Sequence, residues 1–521
     1  MKEHKRESES SGSNPPTSSG DGASGLYLPV RQSSVWVIAR LGVSMTIGVV
    51  VTTFIIRSLS VTEFGIYTVL YSLLGYVSVA CSFGIPDVFR RFIPEALQKK
   101  EYSLLKRLIL RGLILRILLS ALTVGVILAL HGPIGRLLKL DNFLDYYTIF
   151  AFGTVFCLES TLLTNALHSL FLHKYSVIAG TLYTIFRGAC VFLLLKMGWG
   201  MKGVLWAEVA SWGMSTGLQG LFYHLKFVRL HRTTEKKALP LRRYARYAAY
   251  SSLNEVGSSI LGVSTDFFII TAFLGPGAVA LYAFAERVIR MFVNCLPHVV
   301  LIDVIRPTFF TKYAESGKRE HLADMFNLLL KIGAFSVFPL AAGMFVLGDK
   351  MIAIIFKPDY LPCQPILWVL LISLVINVFA TPSGLVLLAL ERVEIGLYSK
   401  VFAIYNVVAE ILVIQRFGVL GVVVVTCSAV LMKNLFSFYF MKKYSGVQIQ
   451  WRSLFLLAGN ACVMAAVIWP LRPFITGPVS LAMTAVFGAG VYLVCAWLNK
   501  AFNGQERIWL NKILPKPVFC F

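Results

Sequence analysis

Stretches of about twenty consecutive apolar residues recur about fourteen times along this chain, and nothing else in it restricts the fold as strongly. A helix of that length matches the hydrocarbon thickness of a bilayer and satisfies its own backbone polar groups without water. The runs begin with 34–56, 63–83 and 108–130 and end with 452–471 and 477–498, joined mostly by short connections. Of the 521 residues, 57% are hydrophobic and 14% charged. A soluble domain carries about 25% charged residues. The expected fold is an all-α polytopic membrane protein with about 14 transmembrane helices.

The net charge of +23 is not spread evenly. The segments "RRFIPEALQKKEYSLLKR", "KFVRLHRTTEKKALPLRRYAR" and "RPTFFTKYAESGKRE" all lie in alternate loops. With the two termini, that set of loops holds about thirty Lys and Arg, against about nine in the opposite set. The positive-inside rule then places the N- and C-termini in the cytoplasm. The basic excess suits anionic headgroups, and no basic, aromatic-studded soluble domain exists for nucleic acid. "FRRFIPEALQKK" reads as an interfacial anchor, with Phe89, Phe92 and Ile93 in lipid and Arg90, Arg91 and Lys99 in water.

Several classes are disfavoured. The nine cysteines are scattered singly and the eight histidines are dispersed, so neither a disulfide framework nor a metal site is expected. There is no nucleotide-binding Gly-x-x-x-x-Gly-Lys-[Ser/Thr] and no His-Glu-x-x-His. No loop is long enough for a catalytic domain, so no catalytic residue is assigned and an enzyme is not expected.

The chain repeats itself weakly. "LSVTEFGIY" (Leu59–Tyr67) aligns with "LGPGAVALY" (Leu274–Tyr282) at a shift of 215, and "GMKGV" (Gly200–Val204) with "GVLGV" (Gly418–Val422) at 218. Six spans per half is an even number, so the halves share an orientation and are related by an axis along the membrane normal, as in transporters. The expected organisation is a disordered cytoplasmic tail (1–33), a six-helix lobe (34–223), a basic linker (224–245) and a second six-helix lobe (246–441). Two extra spans (442–498) and a cytoplasmic tail (499–521) follow. A central cavity is expected between the pseudo-symmetric lobes.

Charges inside the spans point to that cavity. A mid-membrane Arg or Asp costs about 2.5–3.5 kcal/mol, so it should be paired or line water. Ser251, Glu255, Ser259, Gly262 and Asp266 form one helical stripe, and Arg40, Ser44, Gly48 and Thr52 form another. The repeat sets Arg40 against Glu255. Arg40, Arg187 and Arg290 are the expected cavity cations, since a guanidinium offers forked donors and a permanent charge to a phosphate. Glu255, Asp266, Glu159 and Glu286 are the expected charge partners, or the sites for a coupling proton or sodium ion. Arg40 can instead snorkel to the headgroups, and Glu286–Arg290 can be a simple helix pair.

The segment Arg57–Glu95 carries Arg57, Leu59, Glu63, Phe64, Gly65, Tyr67, Gly84, Arg91 and Pro94 in the spacing R-x-L-x-x-x-E-F-G-x-Y, a span, then Gly and Arg near a Pro. It resembles the start of the polysaccharide-export, or lipid-linked oligosaccharide, flippases of the multidrug/oligosaccharidyl-lipid/polysaccharide (MOP) exporter superfamily. Ser264–Val288, with Asp266 and Tyr282, is similar to their second-lobe start, although Ala278 and Ala280 stand where an acidic residue is usual. The resemblance implies a MATE-like fold in the bacterial cytoplasmic (inner) membrane. It also implies flipping of an undecaprenyl-diphosphate-type glycolipid to the outer leaflet for O-antigen, capsule or exopolysaccharide synthesis, by alternating access and without a cofactor. Membrane lipids and other polysaccharide-assembly membrane proteins are the partners it suggests. The alternatives are a cation-coupled multidrug or lipid exporter of the same fold and a membrane polysaccharide polymerase or ligase.

Overall fold

A computed structural model describes residues 45–140, 143–229, 241–259, 263–296, 319–513 and 520. The expected N-terminal tail, Arg40, and residues 230–240 of the 224–245 linker lie outside the described residues.

The helical periodicity is realised throughout, and no strand occurs among the described residues. The first half comprises α1 (Met45–Ser58), α2 (Val61–Ala80), α3 (Ile85–Gln98), α4 (Tyr102–Ala129), α5 (His131–Leu137), α6 (Phe143–Ser169), α7 (His173–Lys196) and α8 (Gly200–Tyr223). The second half begins with α9 (Leu241–Ser259), α10 (Val263–Leu274), α11 (Pro276–Asn294) and α12 (Arg319–Ile355). It continues with α13 (Gln364–Asn377), α14 (Ala380–Ala389), α15 (Val393–Tyr398) and α16 (Val401–Ser445). Last come α17 (Trp451–Ile468), α18 (Pro478–Asn499) and α19 (Gly504–Ile513). α16 is two helices meeting at Gly418, whose φ of 59° and ψ of −148° are not helical. Among the described residues, nine helical stretches are long and apolar enough to cross a membrane, and Met45–Ser58 and Thr265–Leu274 are shorter apolar helices.

Helices α4, α6, α7 and α8 pack on one another, as do α12, α13, α16 and α17. The halves meet chiefly through α2 against α11 and α10. Large apolar side chains face outward along the bundle, among them Leu122, Leu412 and Val486, as a lipid-facing surface requires.

The resemblance motif has identifiable structural work. Ser60 and Glu63 form a capping box, with Ser60 N donating to Glu63 Oε2 at 2.8 Å and Glu63 N to Ser60 Oγ at 3.2 Å. Gly65 permits contact between the halves, because a Cβ there would sit 1.9 Å from the Pro276 carbonyl oxygen. Around that contact, three cations cap carbonyls across the halves. Arg57 Nη1 donates to Ile355 O at 3.2 Å, Lys357 Nζ to Leu59 O at 2.9 Å and Lys139 Nζ to Phe273 O at 2.7 Å. At the opposite end, buried Lys331 on α12 pairs with Glu506 on α19 at 2.8 Å.

Candidate functional site

Tyr67 and its repeat equivalent Tyr282 each donate a hydroxyl to a buried carboxylate. Tyr67 Oη lies 2.9 Å from Glu208 Oε1, and Tyr282 Oη 2.8 Å from Asp266 Oδ2. Both tyrosines are 1% exposed, with Glu208 fully buried and Asp266 nearly so. The repeat is therefore chemical as well as topological, yet the two sites balance their charge differently.

In the first half, Arg187 on α7 closes the site. Its Nε donates to Glu208 Oε1 at 2.8 Å and Oε2 at 2.9 Å, and its Nη2 reaches Tyr67 Oη at 3.2 Å. One guanidinium thus neutralises one carboxylate with forked geometry.

In the second half, Asp266 on α10 is grouped with Asn406 and Glu410 on the first segment of α16 and Thr426 on its second. Asn406 Nδ2 donates to Glu410 Oε1 at 2.6 Å and Asp266 Oδ1 at 3.4 Å. Thr426 Oγ1 lies 3.0 Å from Glu410 Oε1, 3.2 Å from Asp266 Oδ2 and 3.1 Å from Val422 O. One hydroxyl proton cannot serve three acceptors. Glu410 Oε2 and Asn406 Oδ1 are buried without a hydrogen-bond partner among the described residues. No cation among the described residues pairs with either carboxylate. At the 218 shift, Arg187 aligns within one residue of Asn406 and Glu208 falls on Thr426. The second half thus holds two carboxylates and further oxygen donors where the first half holds an internal cation.

The other expected site residues are placed as follows. Glu255 on α9 accepts the Ser82 hydroxyl from the other half. Arg290 pairs with Glu286 one turn away on α11, its Nε 2.7 Å from Glu286 Oε1, and is largely exposed. Glu159 is buried on α6, its Oε1 without a hydrogen-bond partner among the described residues, within electrostatic reach of Arg116 on α4. Arg116 is 1% exposed, and its Nη2 is 3.5 Å from Ser78 Oγ.

Sequence reasoning missed Arg116, Asn406, Glu410, Thr426 and Lys331. For Glu410 and Asn406 the signal was present: an Asn and a Glu at i, i+4 inside an apolar run share one face. Arg116 stands near the middle of the 108–130 run, where a charge needs a partner, so the signal was present there too.

Comparison with known proteins places this architecture. A family model described as polysaccharide biosynthesis protein matches residues 30–311, and one described as lipid II flippase MurJ matches residues 218–487. The "probable low-salt glycan biosynthesis flippase Agl15" of Haloferax volcanii is 20% identical over 471 residues, covering 89% of this chain and 95% of its own. Among solved structures, lipid II flippase MurJ in an inward closed conformation aligns with a TM-score of 0.68 at 15% identity, covering 89% of this chain and 98% of its own. An inward-facing MATE-family multidrug transporter of the MOP superfamily aligns at 0.63 and 13% identity, covering 78% and 98%.

Proposed function

The chain belongs to the polysaccharide biosynthesis protein family, the flippases of the MOP superfamily, and from that premise we propose that it carries a lipid-diphosphate-linked oligosaccharide between membrane leaflets under cation control. Each sugar hydroxyl moved bare into hydrocarbon costs about 4–8 kcal/mol, so a glycan head group needs a polar, protein-lined path. The acyl chain stays in lipid meanwhile. The glycan serves surface polysaccharide assembly, and the direction is from the cytoplasmic to the outer leaflet, with both termini cytoplasmic.

The observation that carries the coupling is the Asp266–Glu410 pair. Two buried carboxylates without a cation are costly, and a bound sodium ion or proton removes that cost. Asp266 Oδ2, Glu410 Oε2, Asn406 Oδ1 and Thr426 Oγ1 supply the hard oxygen donors. In the first half the same position is discharged permanently by Arg187, so only the second half senses cations. Binding there draws α10 onto both segments of α16, biasing the halves between two arrangements. The Arg57, Lys139 and Lys357 caps, with the Gly65–Pro276 contact, support a bundle closed at its outer end.

Reconstitution tests this. Proteoliposomes carrying a fluorescent prenyl-diphosphate disaccharide should move it between leaflets, faster with a cation gradient than without. Export of a cationic dye with no movement of that lipid would replace the proposal by multidrug export on the same fold.

A further inference from the structure

The amphipathic helix α3 was expected only to anchor the protein, yet it forms one wall of a cleft. The first turns of α9 form the other, and the space between them is about 850 Å³. Arg91 of α3 and Arg242, Arg243, Arg246, Tyr247 and Tyr250 of α9 line it. Small-molecule sites occupy about 300–1,000 Å³.

Among the described residues, positive charge accumulates there without matching acid. Glu95 serves three cations: Arg243 at 3.0 Å, Lys99 at 2.9 Å and Arg91 at 3.9 Å. Asp87 is engaged by Arg90 at 3.1 Å and by the Ser251 hydroxyl. Among the described residues, Arg242 and Arg246 form no ion pair. Arg243 also lies over the Phe92 ring at 4.8 Å, and Phe92 packs on Tyr244 and Tyr247 at 4.7 and 5.4 Å, which stiffens the cationic wall. Tyr250 is 66% exposed and Tyr247 40%, so both leave aromatic surface accessible at the cleft.

We infer that this cleft is a loading site for the diphosphate of the lipid-linked substrate, occupied before translocation. The inference rests on the flippase reading above. Forked guanidinium donors match phosphate oxygens, and a diphosphate offers more charge and more acceptors than the single phosphodiester of a membrane phospholipid. The exposed tyrosine rings suit the apolar face of a first sugar. Phe89, Phe92 and Ile93, expected to dip into lipid, pack instead inside the protein against α4, α6 and α9, which fixes α3 and its Arg91 on the cleft wall. The positive-inside pattern sets these basic segments on the cytoplasmic face, where a lipid headgroup is within reach.

The two walls belong to different halves of the chain. They are already pinned by Ser251 to Asp87 and by Ser82 to Glu255. Gly84, at φ 64°, lies so close that a Cβ would be 2.3 Å from the Ala248 carbonyl oxygen. A diphosphate bridging Arg91 to Arg242 and Arg246 therefore joins the halves at their basic end.

The test uses the full chain in phosphatidylcholine nanodiscs. Geranylgeranyl diphosphate is titrated against wild type, Arg242→Gln/Arg246→Gln and Arg242→Lys/Arg246→Lys, with phosphatidylglycerol nanodiscs as competitor. The glutamine variant should bind the diphosphate at least tenfold more weakly, the lysine variant should recover part of the loss, and phosphatidylglycerol should compete poorly. Unchanged diphosphate affinity in the glutamine variant overturns the inference, as does equal competition by phosphatidylglycerol, which would leave a general lipid anchor. Diphosphate binding that depends on both arginines, in a protein that moves no lipid-linked glycan in proteoliposomes, supports the cleft and sinks the transport reading. Movement of the glycan with diphosphate binding indifferent to both variants sinks the cleft alone.

Discussion

Lys357 Nζ donates to the Leu59 carbonyl oxygen at 2.9 Å, while Arg57, two residues before Leu59, donates to Ile355, two before Lys357, at 3.2 Å. Each half thus caps the other with a cation, and the exchange is reciprocal. Hydrogen bonds from charged groups contribute about 1.5–3 kcal/mol when buried, and partial exposure reduces this to about 1 kcal/mol each. Arg57→Ala/Lys357→Ala should shift the opening equilibrium about thirtyfold toward the open state. Spin labels at Ser60 and Asp359 would then show a longer distance component, and an unchanged distribution would refute the capping role.

Gly65→Ala should break the same contact more severely. The new methyl meets backbone rather than a side chain, so α2 and α11 must separate. A cost of about 1–3 kcal/mol is expected, as for other overpacked sites. Cross-linking between cysteines introduced on α2 and α11 at this level should fall, and equally efficient cross-linking would contradict the close approach.

Arg187→Ala should act first on stability. It leaves Glu208 buried without its cation, a change worth about 3–5 kcal/mol. Arg187→Ala/Glu208→Gln should recover much of the loss, since the remaining amide can still meet Tyr67. Thermal melting of the detergent-solubilised variants measures both, and a single variant that melts like wild type would remove the structural role.

Asp266→Asn and Glu410→Gln should abolish the response to cations. A ligand at a hundred times its dissociation constant stabilises by about 2.7 kcal/mol. Wild type should melt higher with added sodium, or with proton concentration in sodium-free buffer, and neither variant should. A wild-type melting curve indifferent to both ions would end the coupling proposal.

Acid should loosen α9 from α3. The hydrogen bonds from Lys99 and Arg243 hold the Glu95 carboxyl below the ordinary carboxylate range. A group lowered in the folded state contributes fully above its unfolded value, about pH 4.3, and that contribution is lost as pH falls through the lower folded value. Amide exchange in the first turns of α9 should quicken there, and Glu95→Gln should exchange fast at every pH. Parallel behaviour of the two proteins would show that Glu95 does not dock α9.

Apolar runs and their alternating basic loops were enough to read an all-helical membrane protein, because span length depends on local composition, and the MATE-like class followed from the resemblance carried by the motif around Glu63 and Tyr67. Asp266 and Arg187 were visible too, as charges too deep to reach water from their own helices. Their partners were not. Glu410, Asn406 and Thr426 lie at least 140 residues beyond Asp266, and although Glu208 is on the helix next to that of Arg187, a helical pattern says which face is polar but not which other face it meets. Only the packed bundle decided that Arg187 would discharge Glu208 while Asp266 met a second carboxylate, and that an ordinary-looking anchor helix would become half of a cationic cleft.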